Sequence, residues 1–274
     1  MLEALAAPCI VAGIDGSPAA IDAALWAVDH AIDRDIPLRL VYVIDSDDRD
    51  HIDPHDQARR LATAEVAVRL ALTAVESTEQ PAKIEVEILQ GRPVQTLLEA
   101  SRSAAMLCIG ARGHRHSTHG RVGSTAAALS AAAHCPVAIV RTHRPHRRHD
   151  QAVVIEITDN AAGSVVLHRG LDEARRRHAP VRVLTPARMY TDANAQWERR
   201  LAEWRHRYPD LDISAQSHHG DTLDYLSAHG DSVQLVVAGR DRPGGVSPLV
   251  GTPGHTALRD TDCSILVCEP QNAR

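Results

Sequence analysis

The sequence predicts an α/β protein built as two tandem, doubly wound domains, each a five-stranded parallel sheet of order 3-2-1-4-5. Three observations lead there: an internal repeat, apolar runs that alternate with Ala-rich segments, and a core composition almost free of aromatics. Residues 10–43 align with 153–186 at an offset of 143, so that Asp35-Ile-Pro37-Leu-Arg-Leu-Val41 matches His178-Ala-Pro180-Val-Arg-Val-Leu184. The offset then falls to 129, where Gly91 matches Gly220 and Met106–Gly110 matches Leu235–Gly239. Near the ends Cys135-Pro-Val-Ala-Ile matches Cys263-Ser-Ile-Leu-Val at 128. A repeat of this length is one domain written twice. With 274 residues, 44% hydrophobic, 3% aromatic and no Phe, the cores must be built from Val, Leu, Ile and Ala. That composition suits buried parallel strands covered by Ala-rich helices, a Rossmann-like arrangement.

In the first copy, strands are expected near 9–14, 38–43, 83–89, 106–109 and 137–141, with helices near 18–34, 56–77, 93–103 and 124–133. In the second, strands are expected near 152–157, 181–185, 211–217, 234–238 and 264–268, with Ala- and Arg-rich helices between. Trp197 and Trp204 lie on one of those helices, and their seven-residue spacing reads as packing. Strand–helix alternation implies right-handed crossovers. The boundary falls in Thr142–Gln151, where His and Arg cluster without apolar periodicity as in a solvated linker, so the domains are expected at 1–143 and 151–274.

Charge and cysteine usage narrow the function. A net charge of −5 argues against general nucleic-acid binding, and no run of 18 apolar residues offers a membrane span. The N-terminus Met1-Leu-Glu-Ala-Leu lacks the basic region of a secretory signal. Five dispersed cysteines without a C-x-x-C spacing read as small buried hydrophobes, which suits a cytoplasmic location.

The chemistry concentrates in one loop. Gly110-Ala-Arg-Gly113, nine residues, then Gly123-Ser124-Thr125 directly follow the buried-strand run Met106–Ile109. Glycines between a strand and a helix let backbone N–H groups converge on a ligand, and a helix N-terminus favours an anion. The segment lacks the Gly-Lys-Ser/Thr of a P-loop and the tighter glycine spacing of the dinucleotide fingerprint. Arg112, His114, Arg115 and His116, with His119 and Arg121, place cations where they can offset phosphate charge, or simply point to water. The histidine spacings fit no common zinc pattern. Ser124 could reach a magnesium ion carried by a nucleotide, as P-loop hydroxyls do.

The first strand ends Ile14-Asp15-Gly16-Ser17. With the expected strand order its end neighbours that of the fourth, at the point where strand order reverses and ligands bind. A carboxylate repels phosphate, so Asp15 suits a hydroxyl or amino group of a sugar or base. The alternative is that Asp15 and Ser17 cap the first helix, and Asp15 could cap while binding. The acidic run Asp45–Asp53 lacks the glycine and terminal glutamate of an EF-hand loop and reads as solvated.

Gly-x2-Gly-x9-Gly-Ser, with Ile-Asp-Gly-Ser after the first strand, resembles the nucleotide-binding universal stress proteins, over nearly the whole chain as a tandem of two such domains. The resemblance implies ATP, possibly with Mg, at the switch point of the first domain. Carried over, Asp15 touches the ribose or base, the backbone around Val43 the adenine, and Gly13 lines the pocket. Gly110, Arg112, Gly113, Gly123, Ser124 and Thr125 hold the phosphates, with His114, Arg115 and His116 in the same loop. It further implies a regulator of the response to stress, growth arrest or low oxygen, acting through an unknown protein partner, with weak ATP hydrolysis or a non-nucleotide interaction role as alternatives. Val137–Arg141 and Ile265–Cys268 are expected to dock through fifth strands, giving an intrachain pseudo-dimer or a homodimer.

The second copy departs from the motif. Thr158 replaces Asp15, Arg242 replaces Gly113, and the loop Gly239–Gly251 is one residue shorter. Asp241 adds a negative charge that Arg240 and Arg242 are expected to offset in part. Nucleotide binding is therefore expected in the first domain, and a structural or regulatory role for the second.

Overall fold

The computed structural model describes residues 7–46, 53–113, 122–143, 150–157, 162–186, 191–218, 222–258 and 261–268. The chain divides into two compact units, Met1–His143 and Arg144–Arg274.

In the first unit, β1 (Cys9–Ile14), β2 (Leu38–Asp45), β3 (Ile84–Gly91), β4 (Ala104–Gly110) and β5 (Val137–Val140) form a sheet of order β3-β2-β1-β4-β5. Every adjacent pair in it is parallel. The crossovers are α1 (Pro18–Asp33), α2 (Pro54–Glu76), α3 (Pro93–Ala100) and α4 (Ser124–Ala132). Proline opens three of these helices, at the position where a missing N–H costs nothing and its fixed φ suits the helix. This is why α2 starts at Pro54, two residues before the sequence-based boundary, with Asp53 accepting a hydrogen bond from the His55 N–H at 3.2 Å.

The core follows from composition. Ile10, Leu38, Leu40, Met106, Leu107, Leu129 and Ile139 are fully buried. Each large aliphatic removed from water contributes about 1.5–3 kcal/mol. Ala20, Ala23, Ala24, Ala27 and Ala31 form the buried face of α1, so small side chains let that helix lie close against β1 and β4.

The second unit repeats the plan. It contains β6 (Ala152–Glu156), β7 (Val181–Pro186), β8 (Ile213–His218), β9 (Val233–Gly239) and β10 (Ser264–Cys268), in the order β8-β7-β6-β9-β10. The helices are α5 (Ala162–Arg177), α6 (Thr191–Arg207), α7 (Thr222–His229), α8 (Ser247–Val250) and α9 (Thr252–Leu258). The repeat extends to backbone detail: Asp35 and His178, 143 residues apart, both turn the chain with φ of 49°. Where the first unit has the single helix α4, the second has two short ones, because Gly251 takes an extended conformation and Pro253 supplies no N–H. Trp204 packs edge-on to His168 at 4.3 Å and stacks on Tyr208 at 5.8 Å. All five cysteines are buried free thiols. Among the described residues no helix is long and apolar enough to cross a membrane.

Candidate functional site

Strand order reverses at β1, whose Gly13 pairs with Val41 of β2 on one side and Ile109 of β4 on the other. Ile14 pairs with Tyr42, so Asp15 and Val43 stand one step further along, at the carboxyl end where open α/β sheets bind ligands. Val43 is half-buried in β2 opposite Leu89 of β3. A Cβ on Gly13 would meet Ile109 Cγ2 at 3.2 Å and Leu97 Cδ1 at 3.5 Å, so that face of β1 has little space for a side chain.

Asp15 and Ser17 form one tight turn. Gly16 has φ of +83°, and the Ser17 N–H donates to Asp15 Oδ1 at 2.9 Å. Ser17 Oγ accepts from the Ala20 N–H at 3.2 Å, which caps α1, and donates to the Arg112 carbonyl at 3.1 Å. Of the two roles open to Ser17, the structure shows the cap, and the same hydroxyl ties the glycine loop to the helix. Asp15 serves the turn through Oδ1. Its other oxygen, Oδ2, faces Gly113 so closely that a Cβ there would lie 2.8 Å away.

The loop is held from both sides. The Ala111 N–H donates to the Val140 carbonyl of β5 at 2.7 Å, and the Gly123 N–H donates to the Ala111 carbonyl at 2.9 Å. Gly123 therefore returns beside Gly113: a Cβ on it would sit 3.8 Å from the Gly113 nitrogen. From there α4 starts at Ser124 with no side-chain cap, so its first-turn N–H groups open toward the loop. Arg112 and Ser124 are exposed and Thr125 is half-buried. Gly110 has a second reason to be glycine, since a Cβ would press against the Ala19 carbonyl carbon at 2.7 Å and the Ala20 nitrogen at 2.8 Å. Close packing of α1 on β4 requires it. His114, Arg115, His116, His119 and Arg121 lie outside the described residues.

The second unit is arranged differently at the same place. Glu156 pairs with Leu184 of β7, and Ile155 with Val237 of β9, in the registers that Gly13 and Ala12 hold in the first unit. Glu156 thus stands where Gly13 stands, and Arg242 where Gly113 stands. The two meet as a bidentate pair, Nε to Oε2 at 2.6 Å and Nη2 to Oε1 at 2.9 Å. Arg242 Nη1 donates to the Gly245 carbonyl at 2.9 Å, and Thr222 Oγ1 donates to Glu156 Oε1 at 2.8 Å. The Arg242 side chain is 1% exposed. Arg242, expected to offset part of the Asp241 charge, turns inward to Glu156. Sequence reasoning missed Glu156, although the offset of 143 from Gly13 was the signal that marks it. Thr158, the counterpart of Asp15, lies outside the described residues. Among the described residues no group of three or more His, Cys, Asp or Glu could hold a metal ion.

Two doubly wound units, the first carrying a carboxylate opposite a glycine-lined loop at its switch point, define an open-sheet α/β protein. The Universal stress protein family pattern matches residues 9–141. Universal stress protein Rv2028c of Mycobacterium tuberculosis is 47% identical over 96% of this chain and 97% of its own. Universal stress protein Rv2624c of the same organism is 40% identical over 94% of this chain and 95% of its own. The chain belongs to the universal stress protein family. A crystal structure of a universal stress protein from Archaeoglobus fulgidus is similar in fold, with a TM-score of 0.73 over 97% of each chain at 13% identity.

Proposed function

We propose that the first unit binds an adenine nucleotide, ATP, in the crevice between Asp15 and the Gly110–Thr125 loop, and that the protein is a cytoplasmic regulator of a stress response. The observation that carries this reading is the approach of Asp15 Oδ2 to Gly113, with Gly123 and the uncapped start of α4 beside it. A carboxylate and a set of backbone N–H groups a few ångströms apart suit a ligand with hydroxyls at one end and phosphates at the other. Asp15 takes the ribose hydroxyls or the base, the Val43 backbone the adenine, and Gly13 lines the floor. Gly110 shapes the loop, while Gly113, Gly123, Ser124 and Thr125 turn donors on the phosphates. Arg112 and Arg115 add positive charge, His114 and His116 add hydrogen-bonding nitrogens, and Ser124 reaches magnesium if the nucleotide carries it. Occupancy orders the loop, and a protein partner reads that order. Five buried thiols suit a reducing compartment.

Calorimetric titration of the folded full chain with ATP, with and without magnesium, tests the reading. Saturable binding is expected; an absence of saturable binding overturns it.

A further inference from the structure

The two units differ most where they would be expected to bind the same ligand. In the first, the matching positions on β1 and in the loop are Gly13 and Gly113, which carry no side chains. In the second, those positions carry Glu156 and Arg242, and their side chains meet across the space. The pair supplies from within what a ligand would supply from outside. Glu156 gives the loop a negative group to hold, accepted by the forked guanidinium and by the Thr222 hydroxyl. Arg242 in turn gathers the loop by donating to the Gly245 carbonyl. Backbone bonds close the same turn, from the Arg242 N–H to the Gly239 carbonyl at 3.2 Å and from the Gly245 N–H to the Arg242 carbonyl at 2.8 Å.

We infer that the second unit's crevice is filled by its own Glu156–Arg242 ion pair, which holds the 239–246 loop closed and leaves no room for a nucleotide. A phosphate entering there must take Arg242 from Glu156. That would leave a carboxylate, 11% exposed, without its cation and close to the incoming negative charge. Breaking a buried pair strands an uncompensated charge, so the exchange is disfavoured from both sides. The first unit has no such internal ligand at Gly13 and Gly113. One unit is therefore built to answer to a ligand, and the other keeps one shape with or without it.

The comparison of units rests on the proposed nucleotide site, whereas the closed state of the second loop does not, and hydrogen exchange with mass spectrometry separates the two. The full chain is measured with and without ATP, as wild type, Arg242→Ala and Glu156→Gln. Without nucleotide, peptides covering 240–246 are expected to be protected in the wild type and to exchange about tenfold faster in Arg242→Ala, as local opening free energy falls. Amides of 235–237 report whether β9 stays folded. If Arg242→Ala loses them too, Glu156→Gln decides, with faster exchange confined to 240–246. Unchanged exchange of 240–246 in both variants overturns the inference, as does protection gained by 240–246 of the wild type when ATP is added. Failure of ATP to protect residues 110–125 counts against the nucleotide site and leaves the closed second loop standing.

Discussion

The carboxylate of Asp15 and the α-carbon of Gly113 face each other so closely that a methyl group on Gly113 would sit 2.8 Å from Asp15 Oδ2. Asp15 is exposed, and its other oxygen accepts from the Ser17 N–H at 2.9 Å. In the repeat, the counterparts of Gly13 and Gly113 are Glu156 and Arg242, and these two are in contact. Where the first unit has two glycines, the second has an ion pair.

Replacing Asp15 with Asn keeps an acceptor for the Ser17 N–H and removes only the charge. A hydrogen bond to a charged group contributes about 1.5–3 kcal/mol, so ATP affinity of Asp15→Asn should fall roughly 10- to 100-fold. The melting temperature without ligand should stay within about 2 °C of wild type, because the turn is retained. Calorimetry beside thermal denaturation checks both halves.

Gly110→Ala and Gly113→Ala should separate packing from binding. At Gly110 the new Cβ meets backbone of α1, which must shift, and a loss of about 1–3 kcal/mol in urea unfolding is expected. At Gly113 the new Cβ meets the end of a side chain that can rotate away. Stability should change by less than about 0.5 kcal/mol there, while ATP affinity drops because Asp15 is pushed from its place. Equal stability losses in the two variants would contradict this division.

Arg242→Ala should destabilise the second unit by about 3–5 kcal/mol, since Glu156 is left as a nearly buried carboxylate without its cation. Replacing both partners, Glu156→Leu with Arg242→Met, should recover most of that loss, because desolvation offsets much of what the pair gains by attraction. Denaturant unfolding of the single and double variants measures the difference.

On the alkaline side, burial raises the Cys9 thiol above its ordinary value, with Arg39 opposing and Glu85 and Glu87 adding to the rise. Burial likewise raises Tyr225, against a smaller opposing effect of Arg182. Raised folded-state values mean that the native state holds these protons more tightly than the unfolded chain. Their contribution is complete below the unfolded values and is lost as pH climbs from about 9 through the folded ones. Stability should therefore decline above about pH 9, and Cys9→Ala should show a shallower decline in thermal melts recorded across that range.

Much of the architecture is legible in the residues because it rests on local chemistry. Apolar runs such as Met106–Ile109 read as buried strands where Gly110 ends them, and Pro18 and Pro93 mark helix starts. The repeat carries one strand order to both halves, down to the turns at Asp35 and His178. The site was legible in outline only. Asp15 and the glycine loop stand out by residue type, but a glycine that packs against helix backbone, such as Gly110, looks the same in sequence as one that meets a carboxylate, such as Gly113.

The sequence by itself therefore determined the class of fold, the doubling of the domain and the family, because periodicity, turn chemistry and internal offsets are written in neighbouring residues. Tertiary structure decided which side chains meet. Ser17 reaches the Arg112 carbonyl across 95 residues, and Arg242 reaches Glu156 across 86. Such contacts depend on parallel register and on the direction each Cβ takes from its strand or loop. Only once β6 is set between β7 and β9 does Glu156 come to the place of Gly13, within reach of Arg242. Proximity there is a product of the whole sheet, and it joins Glu156 to Arg242 where the first unit has only Gly13 and Gly113.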